Sequence, residues 1–193
     1  YGLAAAGLLE AEVVTADGRT LTASERENEG LFWAIRGGGG NFGVVTSFEF
    51  QLHPVTEIYG GPMFFEVADA GTVLRAYREL IADAPEEFGG FPAWQIAPPL
   101  PFIPDERHGD VFLAFVSCFN GLAEDGERVL KPLRDAAPVV AEHVGTMPYP
   151  ALNSAFDALY PPGGLQHYWK ANFVKELTDA AIDAHLEHGP KVP

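Results

Sequence analysis

Hydrophobic and polar positions follow strand-like and helix-like rhythms along this chain, and the texture changes near residue 58. Glu12 to Thr15 and Arg19 to Thr22 flank Asp17-Gly18, a pair that accepts the positive φ angles of a tight two-residue turn, so a β-hairpin is expected. Ser24 and Glu27 have capping-box spacing. Asn28 can cap a short helix from Glu29 to Arg36 that places Leu31, Phe32 and Ile35 on one side. Gly37 to Gly40 end that helix. From Val44 to His53, Phe48, Phe50 and Leu52 alternate with Ser47, Glu49 and Gln51, the period of a strand with one dry face, and Pro54 closes the unit.

Beyond residue 58, strands and helices alternate through proline-rich loops, which predicts a second domain over 58–193 after a first over 1–57. Pro62 to Val67 reads as a strand, and Val73, Leu74, Tyr77, Leu80 and Ile81 form one helical stripe. Trp94 to Ala97 is a short strand before Pro98-Pro99-Leu100-Pro101. Asp110 to Phe119 is apolar on both faces and therefore central in its sheet. Leu122 to Asp135 is helical in pattern, weakened by Gly126 and Pro132. Val139 to Val144 predicts a strand, Ala151 to Leu159 a short helix and His167 to Lys175 another strand. Thr178 caps a last helix that runs to His188 and ends at Gly189-Pro190. The fold class expected is α+β.

Composition narrows the functional classes. With 193 residues, 47% of them hydrophobic, the chain can build a real core, which argues against disorder. Twelve Lys and Arg against 27 Asp and Glu give a formal charge of −15, so the chain would repel both a nucleic-acid backbone and an anionic membrane surface. No apolar run approaches the roughly 18 residues that span a bilayer. Cys118 is the only cysteine, which excludes an intramolecular disulfide and any site of several thiolates. The chain opens on Tyr1 and stops at Val192-Pro193 just after a predicted helix, so a piece of a larger polypeptide is expected, with N- and C-terminal segments of that polypeptide as its partners.

The most informative stretch is Arg36-Gly37-Gly38-Gly39-Gly40-Asn41-Phe42-Gly43-Val44-Val45-Thr46. Gly38, Gly40 and Gly43 have G-x-G-x-x-G spacing, but a dinucleotide fold needs that motif after a strand and before a helix, and here the order is reversed. No Lys-Ser or Lys-Thr follows, which excludes a P-loop. Residues without Cβ still let main chain approach a diphosphate closely and let successive N–H groups converge on an anion. The bland alternative is a flexible linker, and linkers seldom sit between a capped helix and an alternating strand.

Leu9-Glu10-Ala11-Glu12-Val13-Val14, Asp17-Gly18 and the run from Leu31-Phe32-Trp33-Ala34-Ile35-Arg36 through the glycines to Val44-Val45-Thr46 resemble the C-terminal part of the FAD-binding, PCMH-type domain of FAD-linked oxidases. These are the berberine bridge enzyme-like (BBE-like) members of the vanillyl-alcohol oxidase superfamily. The resemblance covers residues 1–55. It implies FAD as cofactor, with Gly38, Gly39, Gly40, Asn41, Phe42 and Gly43 against its diphosphate and the backbone of Val44 and Val45 toward the adenine side. It further implies that the second half is part of a substrate domain, an antiparallel sheet backed by helices that roofs the flavin. Where such proteins usually carry Asp-Asn after Tyr-Gly-Leu-Ala-Ala, this chain has Ala6-Gly7, and Cys118 lies in the wrong half to be the family's flavin-anchoring cysteine.

The function this implies is oxidation of an alcohol, sugar or amine by hydride transfer to the flavin, with O2 as reoxidant and a small molecule as substrate. Such chemistry needs a base for the substrate's proton. On the expected His167 to Lys175 strand, Trp169, Ala171 and Phe173 would share a core face, leaving Tyr168, Lys170 and Asn172 on the other. Tyr168 and Lys170 are the catalytic candidates, the ammonium lowering the cost of a tyrosinate; a solvated sheet face is the alternative. His185 and His188 lie three apart with Glu187 between, but two imidazoles at a helix C-terminus are explained by the helix dipole, and no metal site is expected. The absence of G-x-S-x-G argues against a serine hydrolase, and Glu86-Glu87 sits in a predicted loop rather than a glycosidase dyad. The competing class is a non-enzymatic acidic α+β binding domain, or a truncated pseudoenzyme, in which the glycine loop only turns a corner.

Overall fold

The computed structural model describes residues 2–55, 57–157, 163 and 168–191. These form two compact units, 1–54 and 55–193. In the first, β1 (Leu8–Val14), β2 (Thr20–Ser24) and β3 (Val44–Phe50) make an antiparallel sheet in the order β2-β1-β3, with α1 (Glu29–Ile35) packed on it. Leu8, Ala11, Val13, Ala23 and Phe32 are its buried core, flanked by Leu31 and Ile35 as the helical spacing predicts.

The hairpin between β1 and β2 turns differently from expectation. Thr15 N–H donates to Arg19 O at 2.9 Å and Gly18 N–H to Thr15 O at 2.9 Å. Of the turn residues only Gly18 has positive φ, at 80°. This is a three-residue loop with a glycine bulge rather than a two-residue turn, because Asp17 keeps negative φ and uses its carboxylate to hold Arg19 at 2.6 Å. Ser24 also works locally. Its Oγ accepts from Glu27 N–H at 3.2 Å, while Asn28, at the helix start, donates its side-chain amide to Thr22 O at 2.7 Å instead of capping.

β3 departs from its expected dry face. Phe48 pairs with Ala11, so it shares the helix-covered face, yet it is 56% exposed, and Phe50 and Leu52 are exposed too. The cause is position: β3 is an outer strand, its phenylalanines project beyond α1, and the two rings pack on each other with centroids 5.7 Å apart.

The second unit is an antiparallel sheet of β4 (Glu57–Glu66), β5 (Phe88–Ile96), β6 (Val111–Phe119), β7 (Val139–Glu142) and β8 (Gly145–Pro148). The order is β5-β6-β4-β7, with β8 also on β4. Central β6 fulfils its two-sided apolar pattern. On one face Met63, Phe65, Leu113 and Phe115 meet Val73 and Leu74 of α2 (Ala70–Asp83), Leu130 and Leu133 of α3 (Ala123–Ala136) and Ile182 of α5 (Asp179–His188). On the other, Phe64, Phe112 and Ala114 lie under Ala97 and Ile103 of the loop that follows β5. Arg107 pins that loop: its guanidinium bonds Glu66 at 2.9 Å and Asp110 at 2.6 Å and stands 4.8 Å over the Phe112 ring.

Several elements differ from the sequence pattern. β5 begins at Phe88, six residues before the expected strand; as an outer strand it tolerates Pro92, which cannot donate to a ladder. One strand was expected over Val139–Val144, but the chain breaks at His143 and continues as β8, where Gly61 of β4, at φ 134°, accommodates the change of partner. Helix α3 absorbs both weakening residues; a Cβ on Gly126 would sit 2.7 Å from the Tyr59 ring, so glycine there sets how closely helix and sheet approach. Thr178 caps α5 as predicted, accepting from Ala181 N–H at 3.2 Å. The predicted Ala151–Leu159 helix is observed as α4 (Tyr149–Ser154), with Ala158 and Leu159 outside the described residues.

The strand predicted over His167–Lys175 is corrected. His167 lies outside the described residues, and Tyr168 to Lys175 form no strand. The residues assigned to a core face are exposed instead, Trp169 at 72% and Phe173 at 94%. Alternation of aromatic and polar residues is a burial signal only where a neighbouring strand supplies hydrogen bonds and a layer to pack on, and this stretch joins neither sheet.

Phe115 is fully buried beneath all that packing. Phe115→Ala is expected to cost about 3–5 kcal/mol of unfolding free energy, read as a lower urea midpoint with the slope unchanged.

A glycine turn and an open sheet face form the candidate functional site

Two places in the described residues can hold chemistry, the glycine turn of the first unit and the helix-free face of the second unit's sheet. In the turn, each glycine answers to a different constraint. Gly37, Gly39 and Gly43 have φ of 110°, 74° and 144°, a region that L side chains resist. Gly38 has ordinary φ, but a Cβ there would fall 2.2 Å from Ala34 O and 2.7 Å from the Phe42 ring. Gly43 is doubly constrained, with Val14 O only 2.4 Å from a would-be Cβ, so the turn is pressed onto the end of β1. Gly40 stands apart: its φ is −83° and nothing lies within 4 Å of where a Cβ would be. The fold does not need glycine at position 40.

Beside the turn is a cavity of about 540 Å³ whose lining includes Ala5, Ala6, Trp33, Arg36, Gly38 and Phe42. Among the described residues no carboxylate lines it, although the chain carries 27 Asp and Glu. Among the described residues Arg36 brings the one charged group, its guanidinium resting 4.4 Å over the Phe32 ring. Bare main chain, one cation and no acid fit a diphosphate. Sequence reasoning found the glycines but overlooked Arg36, whose place as the first residue after α1 was the available signal. Asn41 serves the turn itself, its amide donating to Gly38 O at 3.3 Å. Phe42 and Val44 are exposed, and Val45 packs on the small core.

In the second unit, Phe91, Ala93 and Gln95 of β5 share a face with Cys118, Val116 and Ala114 of β6, opposite the face that α2, α3 and α5 cover. The Arg107 loop covers one end of this surface, over Phe112 and Ala114. The other end is open, and Phe91 is 48% exposed. Gly89 and Gly90 mark the place in the sequence, since glycine inside a strand signals close approach of a backbone or ligand. Burial pushes the Cys118 thiol above its usual range, so it stays neutral near neutral pH. Tyr168 is 89% exposed and Lys170 is exposed with it, and neither stands on a sheet face. His185 and His188 occupy the last turn of α5; among the described residues no group of three His, Cys, Asp or Glu is placed to hold a metal ion. No helix of the described residues is long and apolar enough to cross a membrane.

Comparison with known proteins gives this geometry a family. No family model matches the chain. An FAD-linked oxidoreductase of Dictyostelium discoideum is 29% identical over 98% of the chain and 40% of its own length. Among solved structures, the BBE-like 1 protein of Physcomitrella patens superposes with a TM-score of 0.70 at 20% identity, covering 97% of this chain and 42% of that one. The xylooligosaccharide oxidase of Myceliophthora thermophila, solved with xylobiose, gives 0.66 at 22%, covering 100% and 41%. These structural likenesses show a shared fold, and the chain spans about 40% of the length of these relatives. An FAD-linked oxidoreductase of Aspergillus ruber is 34% identical over 73% of this chain and 28% of its own length, and by its sequence similarity to such relatives the chain belongs to the BBE-like, vanillyl-alcohol oxidase family of FAD-linked oxidoreductases.

Proposed function

We propose that this chain is part of an FAD-dependent oxidase that removes hydride from an alcohol, sugar or amine and returns the electrons to O2. The observation that carries it is Gly40. A corner-turning loop accounts for Gly37, Gly38, Gly39 and Gly43 but leaves no reason for a bare residue at position 40, beside which space is open. A diphosphate lying against the main chain supplies that reason. The residues that hold it are Gly38 to Gly43 through their backbone and Arg36 through its charge, with Val44 and Val45 toward the adenine. Bound FAD supplies the hydride acceptor.

The helix-free face of the second unit holds the substrate, which the Arg107 loop confines to the open end. Tyr168 takes the proton from the substrate's hydroxyl or amine, and Lys170 makes the tyrosinate less costly by its positive charge. Both sit in a stretch outside regular structure, where catalytic groups are often found.

In the intact polypeptide, which should purify yellow, Gly40→Leu is expected to lower flavin content by at least about tenfold, a loss near 1.4 kcal/mol of binding, while the melting temperature of the apoprotein stays unchanged. Gly43→Ala should instead lower that melting temperature, because it strains φ and meets Val14 O. A colourless intact protein that takes up no flavin on reconstitution would overturn the proposal. Tyr168→Phe is expected to cut kcat by about 10²–10⁴-fold with flavin content unchanged; full activity in that variant would remove Tyr168 from the mechanism.

A further inference from the structure

Where α5 ends against β5, the second unit has a cavity of about 590 Å³ whose lining includes Trp94, Ala184, His185, His188, Gly189 and Lys191. His185 and His188 stand three apart on one side of the helix, and a 3₁₀ turn over Gly189–Lys191 carries Lys191 to the same hollow. Glycine lets that turn close. A Cβ on Gly189 would stand 1.8 Å from Trp94 Nε1 and 2.2 Å from Cδ1 and Cε2, so the main chain there lies directly on the five-membered ring of the indole. That packing brings three bases to one aromatic wall.

The unit treats its other helical bases differently. Every Arg and Lys of α2 and α3 is paired with an acid: Arg75 and Arg78 with Asp179, Arg128 with Asp125, Lys131 with Asp135 and Arg134 with Glu142. With 27 Asp and Glu against 12 Lys and Arg, such pairing is the default in this chain. The cavity departs from it. His185 and Lys191 make no ion pair with a described residue, and His188 has only Glu187, whose Oε1 stands 3.8 Å from Nε2 with both side chains exposed, a pair that contributes little. Trp94 adds an indole N–H that donates to no described residue. The end of α5 opposes an anion with roughly half a negative charge, which three protonated bases outweigh. Three charged donors suit a group with two negative charges and several acceptor oxygens better than a carboxylate with one. The volume lies in the range of pockets that hold small organic ligands, about 300–1,000 Å³, and the indole offers an apolar wall to the rest of the molecule.

We propose that this cavity binds a phosphate monoester, its phosphoryl oxygens held by His185, His188 and Lys191 and its organic group set against Trp94. The site goes beyond the oxidase function proposed above and stands without it, since every group it uses belongs to the second unit and none to the glycine turn.

The test is titration of phenyl phosphate into the full 193-residue chain at about pH 6, where an ordinary imidazole is mostly protonated, followed by the ring C–H signals of His185 and His188 in NMR spectra. Both sets are expected to move together and saturate with a dissociation constant below about 1 mM. Inorganic phosphate should bind at least about tenfold more weakly, and phenol, the same ring without the charge, should leave both sets unmoved. Ala184→Glu places a carboxylate among the bases and should weaken phenyl phosphate at least about tenfold relative to Ala184→Gln, which has the same size and no charge, with both variants melting as the parent does. The proposal is overturned if phenyl phosphate gives no saturation in that range, if phenol moves the same signals equally, if inorganic phosphate binds as tightly as the ester, or if the Glu and Gln variants bind alike.

Discussion

Between Gly37 and Gly43 the backbone must pass from the end of a helix to the start of a strand while pressed against the last carbonyl of β1. At four of its positions that passage is open only to residues without side chains. Three of them adopt φ angles that L side chains resist, and a fourth has no room for a Cβ. The small first unit depends on it, because α1 covers the core of Leu8, Ala11, Val13 and Ala23 only if the chain returns at once to pair β3 with β1. The same bare stretch leaves space beside Gly40 and brings Arg36 to a cavity that no carboxylate of the described residues lines. In the proposed flavin site fold and ligand make demands on one segment, and position 40 is where the two can be told apart.

The second unit shows a division of labour between the faces of one sheet. Three helices seal one face around Met63, Phe65, Leu113 and Phe115. A proline-rich loop held by Arg107 seals part of the other, and the remainder carries Phe91 and Cys118. A strand buried on both sides, β6, fixes where those side chains stand, so the open surface rests on a strand anchored in the packed core of the unit. Binding surfaces carried by such elements are positioned more firmly than those on loops.

Much of this was legible in the sequence where local chemistry and tertiary context agree. Asp110 to Phe119 announced a central strand by being apolar on both faces, observed as Val111–Phe119, and Thr178 announced a helix start that its hydroxyl does cap. The glycine motif identified the family because so many consecutive positions are constrained at once. Other features depend on partners the sequence does not display. Tyr168 to Lys175 alternates like a strand but joins no sheet, and Phe48 has the period of a core residue on a strand whose outer flank nothing covers among the described residues. β5 was recognised only at its end, because Gly89, Gly90 and Pro92 suppress strand propensity at the place where an outer strand tolerates them. Arg36 was passed over because a lone arginine after a helix has no periodicity to reveal it.

The most direct test is hydrogen exchange of the backbone amides in the intact polypeptide with and without FAD. If the bare turn lies against the diphosphate, the amides of Gly39, Gly40 and Asn41 should slow markedly when FAD binds, more than those of the hairpin turn at Ala16 to Gly18. Unchanged exchange across Gly37 to Gly43 in a protein that demonstrably holds FAD would contradict the account.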